Sequence, residues 1–274
     1  MNHNDKNNKI TILHWNSGFG SERDKIAECI SEYMSGRFII VLQEIIPSMY
    51  EYYKTRFSDT CQLIYSLDYR KPGKYDSRSR QLGILMIIPK EYDLIDSGVF
   101  TRTLYPDRTL YAELKDGSNK LKIAAFHSIT GCDHKKSKSD HFLSCAEAVD
   151  EFRPDIVTTD ANEPDIDFYS IEGMTFYDKN GSGARTFFEA MENNGLCDSY
   201  AINYDMNNYT DGEPLTVSHV IKSTKKKKRY DFVFINKDRF TDIRADYSYE
   251  KAVAATGDHA IVVVSAADIN KSIG

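Results

Sequence analysis

Short apolar runs separated by polar turns dominate the chain. The clearest are residues 10–15 (ITILHW), 38–43 (FIIVLQ), 61–66 (CQLIYS), 82–88 (LGILMII), 109–114 (TLYAEL), 121–127 (LKIAAFH), 155–159 (DIVTT), 230–235 (YDFVFI) and 260–264 (AIVVV). Several are continuously apolar and β-branched, as strands covered on both faces tend to be. Helical spacing is confined to three stretches. Residues 21–34 open at Ser21, an N-capping residue type, with Asp24 three places on, and set Ile26, Ile30, Tyr33 and Met34 on one face. Residues 139–152 open at Ser139 and align Phe142, Ala146, Val149 and Phe152, while residues 186–194 end at Gly195, a common residue beyond a helix C-terminus. Many strands with few amphipathic helices predict an α+β fold of two packed sheets with helices outside.

No internal repeat and no Pro/Gly/Ser-rich linker divides the 274 residues. One domain over residues 10–268 is therefore expected, after a disordered lead-in at 1–9 and before a short tail at 269–274. Charged residues at 28% and hydrophobic ones at 41% are ordinary globular proportions. No apolar run nears the roughly 18 residues that span a bilayer. The polar start, MNHNDKNNKI, lacks the apolar centre of an export signal. Five cysteines, odd in number and irregular in spacing, then read as reduced thiols in a cytoplasmic protein. A net charge of −6 argues against indiscriminate nucleic-acid binding, but not against a basic rim around an acidic site.

Candidate chemistry gathers at the strand ends. Asn16 follows ITILHW, Glu44 follows FIIVLQ, and His127 closes LKIAAFH. Asp160 and Asn162 follow DIVTT, Asp231 opens the 230–235 run, and Asp258 and His259 precede AIVVV. A rigid sheet commonly presents a site in this way. Asn, Glu and Asp supply hard oxygen donors suited to Mg²⁺, and two histidines beside carboxylates suit proton transfer near neutrality. Any one of them alone would read as a turn former; the ordered set does not.

In these residues the chain resembles the deoxyribonuclease I-like endonuclease/exonuclease/phosphatase superfamily. HWN resembles its first strand motif, LQE the strand ending in the metal-binding glutamate, and AAFHS the strand ending in a histidine. TDAN resembles the GDFN segment, RYDFVF the following aspartate-bearing strand, and GDHAIV the terminal SDH motif. Thr159 and Ala161 depart from the Gly and Phe of GDFN. The resemblance implies a four-layer α/β/β/α sandwich and in-line attack of water on a phosphate ester, with Mg²⁺ or Mn²⁺ as cofactor. It implies Glu44, Asn16 and Asp258 around the metal. It implies His259 as base or phosphate contact oriented by Asp231, and His127 as acid or hydrogen-bond donor. Asp160 would orient water or metal, and Asn162 would donate to phosphate. Arg108 resembles an arginine that contacts phosphate.

Three basic stretches bear on substrate: 70–80 (RKPGKYDSRSR), 135–138 (KKSK) and 225–229 (KKKKR). The first resembles a groove-binding hairpin of the superfamily, with Tyr75 and Arg80 as contacts. Lys225, Lys226, Lys227 and Lys228 lead into Asp231 and would form a rim for a polyanion. DNA, with RNA as a lesser choice, is therefore the expected partner, and the activity that of an endonuclease. A phosphoinositide or inositol phosphatase and an inactive polyanion-binding relative are the alternatives. No obligate protein partner is indicated. Cys132, His134, His141 and Cys145 match no standard zinc spacing. No G-x-S-x-G, P-loop or G-x-G-x-x-G element is present.

Overall fold

Alternation along the strands decides the architecture. The computed structural model describes residues 8–71, 73–74, 78–117, 119–130, 137–177 and 181–271. Among these residues two mixed sheets of six strands face each other. The first runs in the order β13 (Phe240–Ser248), β14 (Ile261–Asp268), β1 (Lys9–Asn16), β2 (Arg37–Ile45), β4 (Gly83–Pro89) and β3 (Cys61–Tyr65). The second runs β5 (Asp93–Gly98), β6 (Thr109–Asp116), β7 (Asn119–His127), β8 (Ile156–Asp160), β12 (Asp231–Asn236) and β9 (Leu196–Asp198). A two-stranded ribbon, β10 (His219–Val220) and β11 (Lys227–Lys228), stands apart. The parallel pairs β1/β2 and β7/β8 are the crossovers that require helices.

Side chains two apart share a strand face. Ile10 and Ile12 of β1, Ile39 and Val41 of β2, Leu121, Ile123 and Ala125 of β7, and Val233 and Ile235 of β12 meet between the sheets. The intervening residues build two outer layers. Leu13, Trp15, Ile40 and Leu42 pack beneath α1 (Arg23–Ser31) and α2 (Pro47–Phe57). A one-turn helix, α3 (Ser66–Tyr69), follows β3. Phe126, Val157, Phe232 and Phe234 pack beneath α4 (Ser137–Phe152) and α5 (Gly183–Asn193). Ala252 of α6 (Tyr249–Ala254) joins the first outer layer. These are the four layers expected. Each fully buried Ile, Leu or Val contributes about 1.5–3 kcal/mol, so either outer face left bare would be a large loss.

Every expected strand is present, with ends shifted by a residue or two except that β14 runs four residues further to Asp268, and all three expected helix starts move, the third from residue 186 to Gly183. The first helix begins at Arg23 after Glu22, with no side-chain cap. Ser21 Oγ is turned instead to the carbonyls of Ser17 and Thr256, at 2.5 and 3.0 Å. Ser139 lies inside α4, which starts at Ser137, and its hydroxyl accepts from the Gly183 N–H at 3.0 Å, serving the start of α5 instead. A Cβ at Gly183 would fall 2.1 Å from the Ser139 carbonyl oxygen, so the two helices approach this closely only with glycine there. Gly195 follows α5 with φ +74°, as its position predicts.

Candidate active site

The site continues the inter-sheet core to its end. The alternation that buries Ile10 and Ile12 places His14 and then Asn16 on the same face of β1. By the same count Arg108 precedes Leu110, His127 follows Ala125, Asp160 follows Ile156 by two steps, and Asp231 precedes Val233. Glu44 would point outward in a regular strand. The β2/β4 register shifts between Leu42 and Ile45, and Glu44 adopts φ +61°, a left-handed conformation that re-aims its side chain. Asn162 sits at φ +50° just past β8. A cleft of about 510 Å³ opens here, lined by Asn16, Glu44, Arg108, His127, Asp160, Asn162, Asp258 and His259 among others.

Asp231 organises one side of the cleft. It is fully buried, and its carboxylate accepts from His259 Nδ1 at 2.8 Å and His14 Nε2 at 3.1 Å. Burial pushes its pKa up, but the two imidazoles outweigh that and hold it below the ordinary range. The partner responds in kind. Burial pushes the His259 imidazole down, while Asp231 and Asp160 overcome it and lift the pKa to about 10. With Nδ1 committed to Asp231, Nε2 is the nitrogen left for a substrate. Asp160, Asp231 and His259 lie within 4.8 Å of one another, a spacing that could hold a metal. Both Asp231 oxygens already accept from imidazoles, so a hydrogen-bonded relay accounts for this cluster better than a metal site. Asp160 is held by Asn16 Nδ2 at 2.8 Å and by the Asn162 N–H at 3.0 Å; burial leads the causes that raise its pKa.

The other side carries Arg108 and His127. Arg108 can only donate, and it hydrogen-bonds the nearer His127 nitrogen, Nδ1. Burial first and the Arg108 charge second drive the His127 pKa far down, which favours the neutral ring, and an Nδ1 that accepts from Arg108 leaves Nε2 as the nitrogen that carries the proton. That nitrogen lies 3.8 Å from Glu44 Oε1 and 3.9 Å from Asp160 Oδ2. No side-chain hydrogen bond holds the Glu44 carboxylate among the described residues, and burial leads the causes raising its pKa. An inward-facing carboxylate short of donors, with the oxygens of Asn16 and Asp258 on the same cleft, fits a hard divalent cation.

The remaining expected contacts divide. Arg80 does not line the cleft: it pairs with buried Asp107, Nε to Oδ2 at 2.8 Å, and lies over the Tyr105 ring. Lys228 is buried and bonds Asp165 Oδ1 at 2.8 Å, so it is not part of an open rim. Lys225 and Lys226, in the turn of the ribbon, and Lys227, at the start of β11, are exposed. From the same turn Lys222 reaches Asp258 Oδ2 at 3.2 Å. Lys138 of the second basic stretch is likewise buried; its ammonium donates to the Asn162 carbonyl at 2.7 Å and to Glu163 Oε1 at 3.0 Å. Tyr75, Lys135, Lys136, Cys132 and His134 lie outside the described residues.

Sequence reasoning passed over His14, His219 and the Lys138–Glu163 pair. His14 was legible, since a polar residue in the inward slot of a buried strand needs a partner. His219 lies in a weakly patterned segment. Its ring centroid lies 4.3 Å from that of His259, the two planes tilted by 35°, and its Nδ1 donates to the Asp258 carbonyl at 3.1 Å. Ser218 beside it accepts from the Tyr230 N–H at 2.8 Å and the Asp231 N–H at 3.2 Å, tying the ribbon to the strand that carries Asp231.

No sequence-family profile and no curated protein sequence matches the chain. Solved structures do. Truncated TDP2 of Caenorhabditis elegans superposes with a TM-score of 0.63 at 15% identity, covering 97% of this chain and all (100%) of that one. The 3′ phosphatase NExo from Neisseria, bound to a product DNA hairpin, gives 0.63 at 17% identity over 94% of this chain and 98% of that one. The human Nocturnin catalytic domain, with a bound sulfate anion, gives 0.62 at 15% identity over 95% and 93%. An endonuclease/exonuclease/phosphatase from Bacteroides vulgatus gives 0.62 at 14% identity over 95% and 99%. With its two facing sheets, outer helices and polar cleft at one end, the chain has the deoxyribonuclease I-like fold of the endonuclease/exonuclease/phosphatase superfamily.

Proposed function

We propose that the protein is a divalent-metal-dependent phosphoric ester hydrolase that cleaves nucleic-acid phosphodiesters, DNA in preference to RNA, as an endonuclease. The observation that carries this reading is the His14–Asp231–His259 relay, whose His259 lines the same cleft as Glu44, Asp258, Arg108, His127 and Asn162. Proton-handling groups, hard oxygen donors and cationic or N–H donors together are what hydrolysis of a phosphate ester requires. That TDP2 has been seen with single-strand DNA product and NExo with a DNA hairpin supports nucleic acid as the substrate class.

Glu44, with Asn16 and Asp258, would hold Mg²⁺ or Mn²⁺, which when bound supplies charge neutralisation at the phosphate. The chain's own groups do the rest. The His259 imidazolium, the Asn162 amide and the neutral His127 donor at Nε2 would grip the non-bridging oxygens. Asp160, fixed by Asn16 and the Asn162 backbone, orients a water in line with the leaving oxygen and takes its proton. As the water oxygen bonds to phosphorus, the opposite P–O bond breaks, and the departing alkoxide collects a proton from solvent in the open cleft.

The test is purified protein with Mg²⁺ against plasmid DNA, single-stranded oligonucleotides, RNA and a phosphoinositide, in parallel with His259→Ala. Nucleic-acid cleavage that falls about 10²-fold or more in the variant is expected. Turnover of the phosphoinositide with nucleic acid untouched would replace this reading with the phosphatase. No turnover of any ester would leave a binding protein.

A further inference from the structure

The cleft has an apolar wall that a phosphate does not need. Phe19, Leu82 and Ile129 line it together with the polar groups. Leu82 and Ile129 are buried, but Phe19 is 38% exposed. An exposed aromatic on a slack loop would mean little. Phe19 sits on a turn tied down on both sides. The Gly18 N–H donates to Asn16 Oδ1 at 3.2 Å, and the Ser21 N–H to the Gly18 carbonyl at 3.3 Å. The Glu22 N–H donates to Thr256 Oγ1 at 2.8 Å, and Ser21 Oγ lies 3.0 Å from the Thr256 carbonyl. Gly18 takes φ +71°, which lets the chain turn sharply off the end of β1. The ring is therefore carried by backbone anchored to Asn16, itself bonded to Asp160.

Topology sets the ring's relation to the polar centre. Phe19 follows β1, Glu44 lies near the end of β2, and Leu82 precedes β4, and these three strands are neighbours in that order. The phosphate-binding groups are thus flanked along the sheet edge by an aromatic on one side and an aliphatic on the other. An inositol ring, dressed with hydroxyls and phosphates, gains little from such walls. A flat nucleobase one bond system away from the phosphate gains a stacking partner. A base can meet the ring only when it is out of a duplex stack.

We propose that Phe19 is a base-stacking residue and that the cleft selects single-stranded nucleic acid, reading a base beside the scissile phosphate. This rests on the hydrolase reading above and names its substrate more closely. The test compares wild type, Phe19→Ala and Phe19→Trp on three substrates: a single-stranded dA 12-mer, the same 12-mer in duplex, and a 12-mer of abasic tetrahydrofuran residues with identical phosphates. Circular dichroism checks the fold of each variant. On the single strand, Phe19→Ala should lower kcat/KM by about 5- to 150-fold, the range of one base–aromatic stack, chiefly through KM, and Phe19→Trp should restore it. On the abasic oligomer and the duplex that penalty should shrink at least about fivefold, because no base reaches the ring. The Phe19→Ala penalty on an rA 12-mer should match that on the dA strand, whatever the difference in wild-type turnover, because it is the base that meets the ring. Equal penalties on the base-bearing and abasic strands would overturn the stacking role, as would no penalty on the dA strand. If wild type itself leaves the dA strand intact while turning over an inositol phosphate, the nucleic-acid reading fails instead.

Discussion

Replacing Asp231 by asparagine keeps the shape of the side chain and removes its charge from between two imidazoles. His259 Nδ1 and His14 Nε2 both point at that carboxylate, from 2.8 and 3.1 Å. An amide offers one acceptor and one donor, so one imidazole must give up its donor role or lose its partner. In metal-free protein the effect is visible in stability. The folded-state pKa of His259 is raised from 6.5 to about 10. Its contribution is therefore complete below pH 6.5 and is lost as the pH rises toward 10. Asp231 is held below its ordinary 3.8, so its side of the coupling is present at neutral pH and disappears on acidification below that value. The two shifts share one interaction and are counted once. The His259 displacement sets a ceiling of about 5 kcal/mol, and burial of both partners brings the expected loss in Asp231→Asn to on the order of 3 kcal/mol at pH 7. Urea unfolding in EDTA at intervals from pH 6 to 10 measures it. Wild type should weaken steadily from about pH 6.5 to 10, between the unfolded and folded pKa values of His259, and the variant should run nearly flat. Parallel curves would show that Asp231 does not hold the His259 proton. With Mg²⁺ present the variant's kcat should fall by about 10²- to 10⁴-fold.

Glu44→Ala should stay folded yet lose activity, and EDTA should abolish wild-type turnover until Mg²⁺ or Mn²⁺ is restored; full activity in excess chelator would contradict the oxygen-donor site. Lys138→Met takes the ammonium away from buried Glu163 Oε1, leaving the Tyr177 N–H on Oε2, and urea unfolding should show a loss of about 3 kcal/mol, largely recovered in Lys138→Met with Glu163→Gln. The lysine turn should split in function. Neutralising Lys225, Lys226 and Lys227 should flatten the salt dependence of oligonucleotide binding without a change in unfolding midpoint. Lys228→Gln should lower the midpoint by breaking its contact with Asp165.

How far the sequence carried depended on burial. Strands covered on both faces, such as ITILHW and LGILMII, announce themselves because nearly every position must be apolar. β13 was passed over: its residues FTDIRADYS alternate poorly, it lies at the sheet edge, and a bulge between Thr241 and Arg244 breaks its register. Helix α2 was missed because PSMYEYYKTRF buries tyrosines rather than aliphatics. Within the site, Asn16, His127, Asp160 and Asp231 continue a strand's inward face, as the passed-over His14 does, whereas Glu44, named from its strand end and the LQE resemblance, reaches the cleft only through a bulge and a left-handed backbone that no local pattern announces. The basic stretches misled for a related reason. A lysine's charge is visible in sequence, but whether a carboxylate waits for it is not: Lys138 meets Glu163, Lys228 meets Asp165, and Arg80 meets Asp107.

The departures at Thr159 and Ala161 illustrate how the backbone can keep a site while side chains around it change. Both residues face away from the cleft: Ala161 packs with Phe126, Phe142 and Phe187 in the outer layer, and Thr159 is wholly buried. What fixes Asp160 and Asn162 does not pass through the side chains of Thr159 and Ala161. Asp160 lies opposite Asp231 in the β8/β12 register and beside His127 in the β7/β8 register. The Ala161 N–H donates to the Tyr230 carbonyl at 2.8 Å, the Asn162 N–H closes on Asp160 Oδ1, and Lys138 holds the Asn162 carbonyl from below. Three hydrogen bonds to the main chain and two strand registers thus determine where the Asp160 carboxylate and the Asn162 amide stand, and a methyl in place of a ring alters only the packing behind them. Ala161→Phe should accordingly strain the outer layer, costing roughly 1–3 kcal/mol by overpacking, and shift the unfolding midpoint more than it shifts KM. A variant that gained activity with no loss of stability would show instead that the small residue at 161 had been limiting the site.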